Sequence, residues 1–304
     1  MREESNNKSE TAVVIATYSR EMALKRPGGE VVRARIKGKK LKPVCGDMVI
    51  AEPLENEPEW LITEIEKRKN RLTRPNMRGQ TEILASNIDF LCVAASCKPP
   101  ADWFIVDRYL CAAELMGVDG AVIYNKIDLD PDGAMNELEE YARLGYATLR
   151  CSAISGQGMD ELRALLANRV SIIVGQSGVG KSSLINYLLG NERQRTADVS
   201  DATGEGRHTT VNSAMIDVGN NGEVIDSPGV RDYAPAIQTG EQVANGYREI
   251  SDARQRCRFS NCLHMKEPDC AVKEGVESGS ISKRRYDSYR RLMVLTEQLV
   301  RKGS

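Results

Sequence analysis

The first seventy residues carry short stretches in which apolar and polar positions alternate. Residues 31–36, part of 46–51 and residues 60–65 alternate, and residues 12–16 form an apolar β-prone run. Turn-forming residues separate these stretches at positions 27–29, 38 and 53. Alternation with a period of two, interrupted by Gly and Pro, is typical of short β-strands joined by turns. Several such strands within about sixty residues predict a small barrel, and an OB-fold is the obvious candidate.

From about residue 83 the pattern changes to apolar runs that alternate with amphipathic stretches. The apolar runs, predicted as strands, are residues 88–95, 120–124, 147–151 and 170–174, and the predicted helices are residues 103–115, 135–144, 159–166 and 181–189. Strands that alternate with helices predict a mostly parallel sheet covered on both faces. The charged segment 67–78, interrupted by Pro75, is predicted to be a linker, and the tail after about residue 236 ends in a basic helix over residues 282–301.

Composition narrows the class of protein. The chain of 304 residues is 41% hydrophobic and 28% charged, so it can form a packed core, and its net charge of -1 argues against a protein that coats nucleic acid indiscriminately. The polar first ten residues do not form a signal peptide, and no apolar run approaches the ~20 residues of a membrane span. Eight cysteines without a secretory segment indicate a reducing compartment, so we expect a cytoplasmic protein that does not contact a membrane.

A glycine-rich segment follows the predicted strand 170–174 and opens the predicted helix 181–189. It has the spacing G-x-x-x-x-G-K-S, which is typical of a phosphate-binding loop between a strand and a helix. Its backbone N–H groups would surround phosphate oxygens, the lysine would reach the β- and γ-phosphates, and the first serine would ligate Mg²⁺. The predicted contacts are Gly175, Gln176, Ser177, Gly178, Val179, Gly180, Lys181, Ser182 and Ser183.

A second motif discriminates between nucleotides, because a phosphate loop alone accepts ATP as readily as GTP. Residues 125–128 read N-K-I-D and follow a predicted strand, whose carboxyl end faces the ligand in such sheets. A carboxylate accepts hydrogen bonds from both the ring N–H and the exocyclic amine of guanine, whereas adenine lacks this donor pair. The predicted base-binding residues are Asn125, Lys126, Ile127 and Asp128, joined by Ser152 and Ala153 after the next strand.

The remaining nucleotide motifs lie further along the chain. Asp226, in the sequence D-S-P-G, is predicted to hold Mg²⁺, and the Gly229 N–H to sense the γ-phosphate. Either Thr209 or Thr210 is predicted to supply a second Mg²⁺ ligand, which is lost with the γ-phosphate. Many GTPases carry a water-orienting glutamine after this glycine, but here the residue is Val230, so His208 is the candidate for that catalytic role.

The order of these motifs and a cysteine cluster complete the pattern. The base-reading motifs precede the phosphate loop and the switch motifs come last, so the same sheet must be formed by a circularly permuted chain. The spacing C-x4-C-x-H-x5-C then predicts a closed, structural zinc site. Its ligands are Cys257, Cys262, His264 and Cys270.

Taken together, these motifs resemble those of the RsgA (YjeQ) family of circularly permuted GTPases. The resemblance implies an OB-fold at residues 11–72 after a flexible tail at 1–10, a permuted GTPase domain at 80–236 and an α-helical zinc-binding domain at 237–304. It also implies late maturation of the small ribosomal subunit, GTP hydrolysis stimulated by that subunit, release afterwards, and a catalytic role for the histidine at position 208. The basic segments 20–45 and 283–302 are the candidate rRNA contacts of a protein expected to be a monomer.

Two alternatives remain open on the sequence alone. One is a binding adaptor that reads GTP but scarcely hydrolyses it, which Val230 would favour. The other is a P-loop kinase or ATPase, which requires the site to accept adenine. Each basic run is also compatible with an ordinary solvated face.

Overall fold

The computed structural model describes residues 9–19, 21–38, 40–75, 81–190, 212–226, 237 and 239–303 of the chain, without the side chains of residue 75 and residues 300–303. Within these ranges there are thirteen strands and eight helices. The first seven strands are β1 (Glu10–Thr17), β2 (Met22–Lys25), β3 (Val31–Ile36), β4 (Met48–Pro53), β5 (Trp60–Ile65), β6 (Arg71–Pro75) and β7 (Thr81–Ser86). The next elements are β8 (Phe90–Ser96), α1 (Trp103–Met116), β9 (Asp119–Asn125), α2 (Met135–Arg143), β10 (Ala147–Arg150), α3 (Met159–Leu166), β11 (Val170–Gly175) and α4 (Lys181–Leu189). The last are β12 (Ser213–Gly219), β13 (Gly222–Asp226), α5 (Gly240–Asn245), α6 (Arg248–Arg254), α7 (Ala271–Glu277) and α8 (Lys283–Gly303).

Strands β1 to β5 form a closed five-stranded barrel, which confirms the predicted OB-type module. Their order is β1-β2-β3-β5-β4, and β4 pairs with β1 to close the ring. Alternate residues point inward, so that Val14, Leu24, Val49 and Ile62 are fully buried in the barrel core. The pattern did not reveal β2, because only Met22 and Leu24 of its four residues are buried and charged residues flank the strand.

The segment predicted as a linker contains regular structure, so that interpretation is wrong for its described part. Residues of β6 pair antiparallel with β7 in a separate two-stranded sheet. Leu72 is 1% exposed and packs with Ala85 in the same hydrophobic cluster as α1. Leu72 lies among charged residues, so the sequence pattern did not indicate that it is buried. Pro75 lies at the end of β6, where a missing N–H is tolerated.

The central sheet is covered on both faces, as the alternating pattern predicted. Strands β10, β9, β8, β11 and β13 run parallel in this order, and β12 pairs antiparallel with β13. Helices α1 and α2 pack on one face and α3 and α4 on the other. The barrel continues this sheet, because β1 pairs with β12 through Ala16↔Ala214 and Thr17↔Ser213.

Helices α5 to α8, with the loop that carries the cysteines, form the C-terminal module, which packs against α1. A buried polar network holds this contact. Asp107 of α1 is fully buried and accepts hydrogen bonds from Tyr141 (2.6 Å), Arg284 (3.0 Å) and Arg285 (2.7 Å). Arg285 also forms a two-pronged pair with Glu249 at 2.7 and 2.9 Å. Among the helices that the structure describes, none combines the length and the apolar surface needed to span a bilayer.

Candidate nucleotide site and metal centre

The nucleotide motifs meet at one edge of the central sheet, because parallel strands place their carboxyl ends together. The register pairs Gly175 of β11 with Ala94 of β8, and Asn125 of β9 with Ser96 of β8. Motifs that are far apart in the sequence therefore become neighbours.

The phosphate loop adopts a backbone that only glycine can take at its critical positions. Gly175 has φ 136°, and a Cβ there would lie 2.2 Å from the Ala94 carbonyl oxygen. A Cβ on Gly180, at φ 97°, would lie 2.4 Å from Asn125 Nδ2. The buried Lys181 begins α4 and donates to the carbonyls of Gly175 (2.7 Å) and Gln176 (2.8 Å), so its ammonium lies inside the loop.

Asn125 connects the three motifs that sequence analysis assigned to one site. Its Nδ2 donates to the Val179 carbonyl at 3.0 Å, and its Oδ1 accepts from the Ala153 N–H at 3.2 Å. Lys126 has φ 69°, and its Nζ donates to the carbonyls of Lys98 (2.5 Å) and Gly178 (2.7 Å). The N-K-x-D loop is therefore attached to the phosphate loop at two points.

Ser152 sets the orientation of Asp128. The buried Ser152 hydroxyl donates to Asp128 Oδ1 at 2.5 Å and accepts the N–H groups of Ile154 (3.2 Å) and Ser155 (3.0 Å). Asp128 itself is exposed, so its carboxylate is available at the sheet edge. The N–H of Ala153, one of the predicted base-binding residues, donates to Asn125 in this structure.

Two of the predicted Mg²⁺ ligands lie within the described residues. Ser182 is exposed in the first turn of α4, and Asp226 ends β13, the parallel neighbour of β11. A hydroxyl and a carboxylate are the hard oxygen donors that Mg²⁺ prefers, so this donor set fits the ion. The exposed Ser183 follows on α4, whereas His208, Thr209, Thr210 and Gly229 lie outside the described residues.

The loop between β8 and α1, residues 97–102, borders the phosphate loop and was not predicted from the sequence. A Cβ on Gly178 would lie 3.2 Å from Pro99 Cδ, and the Asp102 N–H donates to Gln176 Oε1 at 3.4 Å. The Lys98 carbonyl is the acceptor for Lys126 noted above. This loop follows the carboxyl end of a strand of the same parallel sheet. That position is the sequence signal from which its place at the site could have been predicted.

The predicted zinc ligands converge on one point. The ligand atoms of Cys257, Cys262, His264 and Cys270 all lie within 4.8 Å of one another. His264 Nδ1 is 3.5 Å from Cys257 Sγ and 3.4 Å from Cys270 Sγ, and these two sulfurs are 3.9 Å apart. Zn–S bonds of about 2.3 Å and Zn–N bonds of about 2.0 Å give tetrahedral edges of about 3.8 Å for S···S and about 3.6 Å for S···N. The donor set therefore fits tetrahedral zinc.

The loop around these ligands is fixed by its neighbours. Tyr286 and Tyr289 of α8 donate to the carbonyls of His264 (2.6 Å) and Leu263 (2.7 Å). Burial alone would raise the pKa of Glu267, but backbone N–H groups, including that of Leu263, lower it to about 2. Burial lowers the pKa of His264, which favours the neutral imidazole that a metal requires.

Several basic residues of the predicted rRNA-contact segments form ion pairs within the protein. In the first segment, Arg26 pairs with Glu10 at 2.6 Å and Lys25 with Glu223 at 2.9 Å. In the second, Arg285 is 1% exposed and faces Asp107. These cations stabilise the fold, so only part of each basic run is presented to solvent.

The fold and the motifs at its sheet edge define a P-loop GTPase with circularly permuted elements. A family model described as RsgA GTPase matches residues 65–235. The chain belongs to the RsgA GTPase family.

Relatives and solved structures agree with this assignment. A protein of Mannheimia succiniciproducens named "Small ribosomal subunit biogenesis GTPase RsgA" is 37% identical over 98% of this chain and 86% of the relative. A Haemophilus influenzae protein of the same name is 36% identical over 96% of this chain and 86% of its own length. The crystal structure of YjeQ from Thermotoga maritima superposes with a TM-score of 0.76 at 28% identity, covering 95% of this chain and 99% of that one. The structure of YloQ, described as a circularly permuted GTPase, has the same fold with a TM-score of 0.76 at 24% identity and 98% coverage of both chains.

Proposed function

We propose that this protein hydrolyses GTP to GDP and phosphate while it is bound to the small ribosomal subunit during late maturation, and leaves the subunit after hydrolysis. In this proposal it acts in the cytoplasm as a monomer. The observation that carries the proposal is the connection made by Asn125, which joins the base-reading loop to the phosphate loop. The names of the relatives supply the small ribosomal subunit as the partner.

Guanine recognition would rest on Asp128. The Ser152 hydroxyl occupies one carboxylate oxygen and so limits rotation of the side chain. A carboxylate held in this way can accept two donors from one purine edge, which guanine provides and adenine does not. The Lys126 stem, anchored at its Nζ end, would cover the base.

Phosphate binding and hydrolysis would divide among three groups. The loop from Gly175 to Ser182 would hold the phosphates, and Lys181 would turn from its carbonyl partners toward them. Ser182 and Asp226, with Thr209 or Thr210, would hold Mg²⁺, which neutralises the charge that develops on the phosphates. The Gly229 N–H would sense the γ-phosphate, and His208 would orient the attacking water, since Val230 has no group that can do so.

Co-sedimentation with purified small subunits, in GDP and in a non-hydrolysable GTP analogue, tests the proposal. We expect binding in the analogue and release in GDP, together with faster turnover in the presence of subunits. His208→Ala should retain GTP binding and lose the stimulated turnover. Equal sedimentation in GDP and in the GTP analogue, or turnover that subunits do not accelerate, would contradict release controlled by hydrolysis. Either result would favour a binding adaptor.

The base specificity is tested separately with Asp128→Asn. An amide in place of the carboxylate should weaken GTP binding and favour xanthosine triphosphate, whose 2-carbonyl accepts a hydrogen bond where guanine has an amine. Asp132→Asn, at an exposed position four residues further on, is the matched control. A wild-type protein that binds ATP as tightly as GTP would contradict the assignment of Asp128.

A further inference from the structure

The segment that leads out of the barrel, residues 66–71, alternates strictly between inward and outward side chains. Glu66, Arg68 and Asn70 are half-buried, whereas the residues between them are exposed. We call these six residues the connecting segment. Its sequence, EKRKNR, places the cations at positions 67, 69 and 71 on the outward side.

The inward residues attach the connecting segment to the fold at both ends. Arg68 donates to both carboxylate oxygens of the fully buried Asp47, at 2.6 and 2.7 Å, and to the Lys42 carbonyl at 3.1 Å. Asn70 donates to the Ile88 carbonyl at 2.7 Å and accepts the Ile88 N–H at 3.0 Å. The outward side chains therefore project from a backbone that is already held in place.

The outward residues lack counter-charges among the described part of the chain. Lys67, Lys69 and Arg71 are exposed, and none of them forms an ion pair with a described residue. Lys42 is also exposed, and its carbonyl accepts a hydrogen bond from Arg68 of the same segment. An open cleft of about 440 Å³ runs along residues 65–71.

In this respect the surface differs from one part of the barrel's other basic surface. Lys25, Arg26 and Arg35 are each paired with a glutamate, so an incoming anion would have to displace a partner. At the connecting segment no such exchange is needed. Lys67 and Lys69 lie just before β6, which begins with Arg71, so three cations are presented within five residues, close enough to contact neighbouring phosphates of one nucleic-acid strand.

We propose that Lys67, Lys69 and Arg71, with Lys42, bind the phosphodiester backbone of RNA. This inference rests on the proposed function for the nature of the partner. RNA is favoured over an acidic protein because the outward side of residues 66–71 bears no apolar side chain. Protein interfaces depend on desolvated aromatic or aliphatic anchors, whereas phosphate contacts need only cations.

The test is the salt dependence of binding to rRNA extracted from purified small subunits. A variant carrying Lys67→Gln, Lys69→Gln and Arg71→Gln is compared with a control carrying Arg143→Gln, Arg256→Gln and Lys266→Gln. All six positions are exposed, and both variants lose three positive charges. Each lost phosphate contact should lower the slope of log K against log salt by about 0.7, so we expect a decrease of about 2 for the first variant only.

The outcomes separate this inference from the proposed function. A slope equal to that of the control, or loss of small-subunit binding with unchanged rRNA binding, would overturn the RNA site, and the second result would indicate a protein partner. Failure of the wild-type protein to sediment with small subunits would instead count against the proposed function. Turnover of GTP without subunits should be equal in wild type and both variants, because none of the six residues belongs to the nucleotide motifs.

Discussion

Two buried carboxylates lie where the barrel and the C-terminal module contact the rest of the protein, and their surroundings differ. Asp47, on the barrel side, accepts from the Val44 N–H (2.8 Å), Ser86 (2.5 Å) and Arg68, whose side chain is 19% exposed. Asp107, on the side of the C-terminal module, faces Arg285, whose side chain is 1% exposed.

We call the contact at Asp47 the barrel joint and the contact at Asp107 the C-terminal joint. The two joints differ in how much each depends on its ion pair. Asp47 is held partly by local backbone, and Arg68 keeps contact with solvent, so water can compensate for a lost partner. Burial alone would lower the pKa of Arg285, but Asp107 and Glu249 raise it well above its usual range. Arg285 therefore stays charged in a place from which water is excluded, and the C-terminal joint should be the more sensitive of the two.

We expect the largest loss of stability when a predicted zinc ligand of the C-terminal module is removed. Cys262→Ala removes a buried ligand, and binding of structural zinc contributes on the order of 10 kcal/mol to the folding of small metal-dependent segments. We expect loss of bound zinc and unfolding of the loop around residues 257–270, measured by metal analysis and limited proteolysis. Cys97→Ala, a half-buried cysteine outside the cluster, should retain the metal. Full zinc content in Cys262→Ala would contradict the ligand assignment.

Asp107→Ala should have the next largest effect. Removing the carboxylate leaves Arg285 buried with Glu249 alone and deprives Tyr141 and Arg284 of their acceptor, which costs about 3–5 kcal/mol for a buried pair. Hydrogen exchange of the α8 amides would measure this loss as faster opening of the joint. Asp287→Ala, exposed on the same helix, serves as the control and should leave the exchange unchanged. Similar protection in both variants would show that apolar packing alone holds the joint.

Asp47→Ala tests the barrel joint and should cost less, roughly 2–3 kcal/mol, because charged hydrogen bonds are lost while Arg68 can turn to solvent. Exchange of the amides in β5 and β6 would report the change. Lys25→Ala breaks an exposed pair with Glu223 between the barrel and β13 and should cost at most about 1 kcal/mol. If Asp47→Ala destabilises as strongly as Asp107→Ala, exposure of the paired arginine does not explain the difference between the joints.

Much of the architecture followed from local patterns. The predicted strands at 31–36 and 60–65 and helices at 159–166 and 181–189 coincide with β3, β5, α3 and α4. Periodicity succeeds there because each element buries one continuous face or is buried throughout. It failed at β2 and β6, where charged residues flank the few apolar positions of a short strand.

The sequence by itself determined the phosphate loop and the cysteine–histidine cluster, because their residues lie within eight and fourteen positions and the chemistry depends on local spacing. Only the tertiary structure decided that Asn125 bonds Val179, 54 residues away, and that Asp107 faces Arg285, 178 residues away. The tertiary structure also decided which cations are buried and which face solvent. Arg285 and Arg71 both lie in basic runs of the sequence, and nothing in those runs distinguishes one from the other. The physical reason is that spacing encodes the local backbone, whereas the partner of a charge depends on which elements packing brings against it.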